Sequence, residues 1–507
     1  MNKNITKIEP ILFKESIISD WYNYLIIFLW FIPVFLKISS VDESNVVASS
    51  ILAALVSFLI LFIKPDSVLL ALPFFTILSP VAGYLKLFGV PVLLSDIFFI
   101  FLTIQLILLI KSGAIATFNN KMSKNFSIIA ALYFFSFVLA ICYDLITSYK
   151  SILYLIQFII LFIYVNTYSK NEDMQYKIVN YWIISSILGV LLLIHGYRSG
   201  IVLSDFKLNS KMDVDKYSSQ FFFQATYYYT GFHQNIGMSF VILVTKLIHA
   251  RSIINKLLIL TILPLLFYAL IIMMNKTAMF SIVASLVIIA VVTIFQRNIK
   301  PLLFFIFLCT VIFVESDKLI TPIFDSLGAT QSSIWFDRLQ GTSSLETRVE
   351  VVTQAMSKFI EYPVQVIFGM GPGFLENAGD SELSGAFKTS ATTGVEEGTV
   401  DSGWISYFIE LGIVNFIILI AVYIKSMANA LNSILQNNLN EKTNETSIYI
   451  FSGLVYLSIS LFSQMLGYTK LTWFPFQLLL FGLLLKNNNT VDKVHKISHL
   501  NSQFTLQ

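Results

Sequence analysis

The sequence predicts an all-α, polytopic integral membrane protein, and three observations predict it. Of 507 residues, 56% are hydrophobic and only 12% are charged, whereas soluble domains carry about 25% charged residues. Apolar runs long enough to cross a bilayer recur along the chain. Lysine and arginine concentrate in alternate connections between those runs, the asymmetry expected of cytoplasmic loops. The 46 Phe and 23 Tyr residues suit lipid-facing helices and interfacial belts. A net charge of +3 gives no reason to invoke nucleic acid. The two cysteines, Cys142 and Cys309, both sit in apolar runs and build neither a disulfide framework nor a zinc site. Residues 1–20 are polar and of mixed charge, with no short apolar core before a small-residue cleavage site. No cleaved signal peptide is expected, and the first span is itself the targeting signal.

A span needs about 20 mostly apolar residues. That length places helices near 21–38, 45–63, 67–85, 93–110, 126–146, 151–168 and 178–197. The second half adds 235–250, 257–274, 277–295, 301–314, 404–424, 447–466 and 471–485, about 14 spans in all. One set of alternate segments carries Lys3, Lys7, Lys14, Lys64, Lys111, Lys121, Lys124, Lys170, Lys177, Arg251, Lys256, Arg297 and Lys300. The same set ends on Lys486, Lys493 and Lys496. The opposite short loops hold little more than Lys86, Lys150, Lys276 and Lys470. Both termini are therefore expected in the cytoplasm, in agreement with an even number of spans.

Three regions follow. Residues 1–314 form a transmembrane bundle of about 11 helices with an outer loop at 198–234. Residues 315–403 form a large extracytoplasmic loop, and 404–507 hold the last helices and a cytoplasmic tail. Loops longer than about 15 residues are usually functional or disordered. The second loop is partly helical. Ser343-x-x-Glu346 reads as a capping box opening a helix that stops before Pro363. Leu345, Val349, Val352, Met356 and Phe359 recur at helical spacing, so that helix is amphipathic. There is no internal repeat and no soluble catalytic domain, so any chemistry is expected at the outer face.

The most informative stretch joins that helix to the last spans. Arg348 borders its apolar face, and a Gly-rich turn, Gly369-Met-Gly371-Pro-Gly373-Phe374, follows. Taken singly, an arginine that solvates a surface helix and glycines that only make a turn are the commoner explanation. A nucleotide loop is disfavoured, because no strand–turn–helix context surrounds the glycines. Asp401 stands before the helix beginning near Gly403, where a carboxylate is a good cap. Glu410 lies inside the span, and intramembrane ionisable groups are functional hypotheses by default. Nine residues of helix separate the two carboxylates, a rise of roughly 13–14 Å and about half a turn out of phase. They cannot pair on one helix face, and Glu410 is expected to engage a neighbouring helix.

Three other features point outward. Asn275-Lys276-Thr277 makes a tight connection on the lysine-poor side. The loop before 235 carries Phe221-Phe-Phe223, Tyr227-Tyr-Tyr229 and Gly231-Phe-His233-Gln-Asn235. Such aromatics are most often an interfacial belt and less often platforms for sugar rings. A lone His233 is more often a hydrogen-bonded structural residue than a catalyst.

Taken in order, these features resemble the O-antigen polymerase and ligase superfamily, over roughly residues 220–425. In that family a Gly-Phe-x-x-Asn stretch opens a span, as Gly231 to Asn235 does. An Arg-headed helix ends in Pro and a Gly-x-Gly-x-Gly-Phe turn, matched by Arg348, Pro363, Gly369, Gly371, Gly373 and Phe374. A polar pair precedes a span containing Glu-x-Gly, matched by Asp401-Ser402 and Glu410-Leu-Gly412. Two positions depart: ligases usually carry His-Asn in place of Asp401-Ser402, and Arg in place of Lys276, which favours a polymerase.

The resemblance implies a GT-C-like membrane glycosyltransferase that polymerises polyprenyl-diphosphate-linked repeat units outside the cytoplasmic (inner) membrane, without metal or cofactor. It implies Arg348 and Asp401 as catalytic candidates. Lys276, Arg338, His233, Gly369, Gly371 and Gly373 would contact diphosphate or glycan, and Glu410 would be structural or catalytic. No His/Cys/Asp cluster with metal-ligand spacing occurs in the sequence. Expected partners are lipid-linked donor and acceptor, the bilayer, and flippase and chain-length regulator proteins. The alternatives are a ligase and, from another class, a flippase for lipid-linked oligosaccharide. A flippase would show short loops throughout and charges in central cavities.

Overall fold

The computed structural model describes residues 21–39, 42–63, 67–82, 84–87, 90–111, 131, 134–142, 160, 163, 172–199, 232–250, 252–273, 276–295, 352–353, 355–371, 403–435 and 441–460. In chain order these form α1 (Trp21–Ile38), α2 (Glu43–Ile63), α3 (Ser67–Ala82), β1 (Tyr84–Leu87), β2 (Val90–Leu93), α4 (Leu94–Lys111) and α5 (Glu172–Ser199). There follow α6 (Phe232–His249), α7 (Ile253–Ile272), α8 (Lys276–Phe295), α9 (Pro363–Phe368), α10 (Gly403–Leu435) and α11 (Glu441–Ser460). The expected spans 301–314 and 471–485 lie outside the described residues, as does most of 198–234 and of 315–403. Among the described residues, five stretches are long and apolar enough to cross a membrane by length and composition alone: Trp21–Ile38, Ser44–Ile63, Met174–Gly196, Ile253–Ile272 and Trp404–Lys425, the last of which is interrupted at Gly412.

The chain divides into two units. The first takes in Met1–Ala114 and Lys170–Met273, the second Ile115–Ser169 and Met274–Gln507. In the first, α1 packs on α2 and α3, α3 on α4 and α5, and α6 on α5 and α7. Large aromatics fill the centre. The Trp30 and Phe75 rings meet edge-on at 5.6 Å, and Phe75 stacks on Phe98 at 4.8 Å. Several polar groups inside are paired between helices, which offsets the cost of burying them. Trp30 Nε1 donates to Ser57 Oγ at 2.9 Å, and Ser186 and Ser239 share a 2.7 Å hydrogen bond between α5 and α6. The buried Lys246 amine donates to Asn180 Oδ1 and sits 4.7 Å above the Tyr176 ring, which attracts a cation. The outside is apolar instead: Leu52, Leu55, Leu59 and Phe62 of α2 are each more than half exposed. A soluble helix would put charges there, and a lipid-facing one does not.

Two features differ from the expected succession of straight helices. Between α3 and α4 the chain makes a short antiparallel hairpin, with Tyr84 opposite Leu93 and Leu87 opposite Val90. Glycine and proline around the β-branched Val90 and Val92 interrupt helical periodicity, and a two-stranded ribbon has edges that tolerate Pro91.

The second difference corrects the span expected at 404–424. Gly412 has φ +74°, and the helix breaks there. In a straight helix Trp404 and Tyr423 would stand ~28 Å apart. Their rings are 5.5 Å apart. The chain therefore doubles back at Gly412, and the Phe408 and Phe416 rings on either side of the bend meet at 5.3 Å. Trp404 Nε1 donates to the Ser458 carbonyl at 3.0 Å, and the Tyr423 hydroxyl donates to the Leu454 carbonyl at 3.1 Å and pairs with Ser458 Oγ. Both arms thus reach the same turn of α11. The first arm, Gly403 to Leu411, is only ~13 Å long and cannot cross a bilayer core of about 30 Å.

Candidate functional site

In the second unit, the site grows from the helical residues 355–360. Phe359 and Ala355 are fully buried, and Val352 and Met356 pack beside them against Ile405, Phe408 and Ile409 of the first arm. This is the apolar face that the sequence spacing marks out; Leu345 and Val349 lie outside the described residues. After a turn, Pro363 opens α9 at a first-turn position, where its missing N–H costs nothing. The six-residue α9 ends at Gly369, with φ +94°, and Gly371 follows with φ +97°. Only glycine adopts these left-handed values without strain.

The turn and the Gly412 bend form one interlocked backbone unit. Met370 N–H donates to the Ile409 carbonyl at 2.9 Å, and Gly371 N–H donates to the Glu410 carbonyl at 3.0 Å. Ser136 Oγ donates to that same Glu410 carbonyl at 3.3 Å. Carbonyls in the last turn before a helix break need donor partners from elsewhere, and broken helices survive in membranes only where neighbours supply them. The glycine turn and Ser136 supply them here. Contact is so close that no side chain fits. A Cβ on Gly369 would stand 2.6 Å from the carbonyl carbons of Glu410 and Leu411. One on Gly412 would stand 2.5 Å from the Ile367 oxygen and the Phe368 carbon.

The Glu410 side chain is buried, 3% exposed. The Glu410 main chain meets the Gly369–Gly371 turn and Ser136 of the helical stretch 134–142. That stretch lies within the apolar run 126–146 of the sequence. Sequence reasoning missed Ser136, because one hydroxyl in an apolar run carries no signal of its distant partner.

Lys276 is the first residue of α8. Arg338, Arg348, Gly373 and Asp401 lie outside the described residues. His233 belongs to the first unit, in the opening turn of α6, and is buried with Gln234 and Asn235. Phe232, fully buried, seats that turn against Gly189 of α5, where a Cβ would come within 2.5 Å of the ring. Among the described residues, no three His, Cys, Asp or Glu side chains come together as a metal site requires.

No curated protein matches the chain. Residues 236–420 match the family model described as O-Antigen ligase, a stretch that includes Lys276, Arg338, Arg348, the three turn glycines, Asp401 and Glu410, with His233 just before it. This stretch, just over a third of the chain, carries both halves of the interlocked turn, and the match supports the resemblance to the O-antigen ligase and polymerase superfamily.

Proposed function

We propose that the protein is a membrane glycosyltransferase that polymerises polyprenyl-diphosphate-linked repeat units at the outer face of the cytoplasmic membrane. The observation that carries this reading is the docking of the Gly369–Gly371 turn onto the Glu410 bend, inside the segment that matches the family. Along the sequence, Arg348 precedes the docked turn and Asp401 follows it.

In the proposed reaction an acceptor hydroxyl oxygen attacks the anomeric carbon of the donor. The bond from that carbon to the diphosphate breaks, the lipid diphosphate leaves with the electron pair, and the hydroxyl proton passes to Asp401. The leaving group needs charge neutralisation rather than a proton, and fixed cations aimed at it supply this. Arg348 binds phosphate oxygens through its planar fork, with Lys276 as a point charge and Arg338 as a weaker third. The membrane confines donor and acceptor to one plane, which lowers the cost of positioning them. Flippase and chain-length regulator proteins are the partners such an activity would have.

The match to the O-Antigen ligase family favours a second reading, transfer of the finished glycan to a lipid acceptor. Surface glycan from cells with and without the protein separates the two. Loss of long chains with single repeat units retained supports the polymerase, loss of all transfer to the final acceptor supports the ligase, and substrate held on the cytoplasmic face overturns both in favour of a flippase.

Asp401 is tested by one substitution. Asparagine is nearly as good a helix cap as aspartate, so Asp401→Asn is expected to leave stability within a few tenths of a kcal/mol. It cannot take a proton, so turnover of lipid-linked repeat units by the purified protein is expected to fall ~10²–10⁴-fold. Near-normal turnover would make Asp401 a cap and move the search for the base to Glu410 or His233.

A further inference from the structure

We propose that Asn235 binds an anionic phosphate oxygen of the substrate, at the opening turn of α6; the identity of that substrate rests on the lipid-diphosphate reading above. Asn235 is 1% exposed, yet among the described residues its amide Nδ2 has no hydrogen-bond partner. A buried donor left unpaired destabilises a fold, and nearly all such groups in proteins are satisfied. The exceptions ask for an explanation, and a ligand acceptor is one.

Three observations make this a built site rather than loose packing. First, the turn is held firmly: Phe232 is wedged against Gly189, and the Ser186–Ser239 hydrogen bond of 2.7 Å ties α5 to α6 one turn further along. Second, Asn235 is the fourth residue of an 18-residue helix. The Cα–Cβ bond of a helical residue leans toward the N-terminus, so this amide lies over the first turn. Third, the N-terminal end of a helix carries partial positive charge and favours anions. A donor amide within that field selects an oxygen bearing negative charge over a neutral hydroxyl. Asparagine adds no cation of its own, so the site would release the product diphosphate more readily than an arginine would.

The test uses the full-length protein in neutral phosphatidylcholine nanodiscs, with inorganic pyrophosphate as the probe and thermal unfolding as the readout. Ligand binding to the folded state raises Tm with ligand concentration. The wild-type Tm is expected to rise with pyrophosphate, while Asn235→Leu, similar in size and without a donor, is expected to start at or above the wild-type Tm and to lose at least tenfold in apparent affinity. Asn235→Asp, which adds a repelling charge, should lose the response as well and stands in if the leucine variant does not fold. A parallel arm replaces pyrophosphate with phosphatidylglycerol in the nanodisc; an Asn235-dependent shift there alone identifies a lipid headgroup as the source of the phosphate. No shift of the wild type in either arm, or an equal shift in wild type and variants, overturns the proposal. Neither arm involves glycan transfer, so the result is independent of whether the protein polymerises, ligates or does neither.

Discussion

Gly412→Ala is expected to lower stability by ~2–5 kcal/mol and, with it, to abolish long-chain glycan at normal expression. Two costs add. An L-residue at φ +74° carries a left-handed backbone penalty of ~1–2 kcal/mol. The new Cβ would also press on main-chain atoms of Ile367 and Phe368, which cannot swing aside as a side chain does. Overpacking of that kind costs ~1–3 kcal/mol. Gly369→Ala meets the main chain of Glu410 and Leu411 and is expected to behave alike. Gly189→Ala supplies the contrast, because its nearest neighbours are the far ring atoms of Phe232, and its loss should be smaller. Thermal unfolding of the three purified variants, read beside glycan length, checks the ranking. Wild-type Tm and chain length in Gly412→Ala would mean that the bend does not depend on a left-handed residue.

The second large effect is expected at Arg348. Removing one fixed donor to developing charge typically costs ~10²–10³-fold in rate, so Arg348→Ala should nearly abolish turnover of lipid-linked repeat units. Arg348→Lys keeps the charge and loses the bidentate fork, and should still lose at least ~10-fold if the fork itself binds the diphosphate. Measurement on purified protein at matched abundance separates this from misfolding. The docked face at Val352, Met356 and Phe359 follows Arg348 closely in the sequence, so intact packing in the variants can be verified by an unchanged Tm. Wild-type turnover in Arg348→Ala would remove Arg348 from the reaction and leave Lys276 and Arg338 as the remaining cations.

The chain's one-dimensional patterns were informative about what each segment is. Hydropathy located the helices: the first predicted span, 21–38, coincides with Trp21–Ile38, and the run at 277–295 with Lys276–Phe295. Helical spacing marked Val352, Met356 and Phe359 as one face, and the glycines at 369 and 371 as a turn. These are local properties, set by transfer free energy and backbone sterics within a few residues, so the sequence alone determines them.

What only the tertiary structure decided is which backbone meets which. A glycine inside an apolar run reads as a tolerated helix residue, because its propensity cost of about 1 kcal/mol is easily outweighed. Gly412 turns left-handed for a reason that lies about 40 residues away in sequence. Ile409 and Glu410 can leave the helical ladder only because Met370, Gly371 and Ser136 offer replacement hydrogen bonds, and Gly369 leaves room for the approach. Hydrogen-bond satisfaction in a bilayer is a global constraint, met by whichever segment comes near, and no local pattern of residues encodes that nearness.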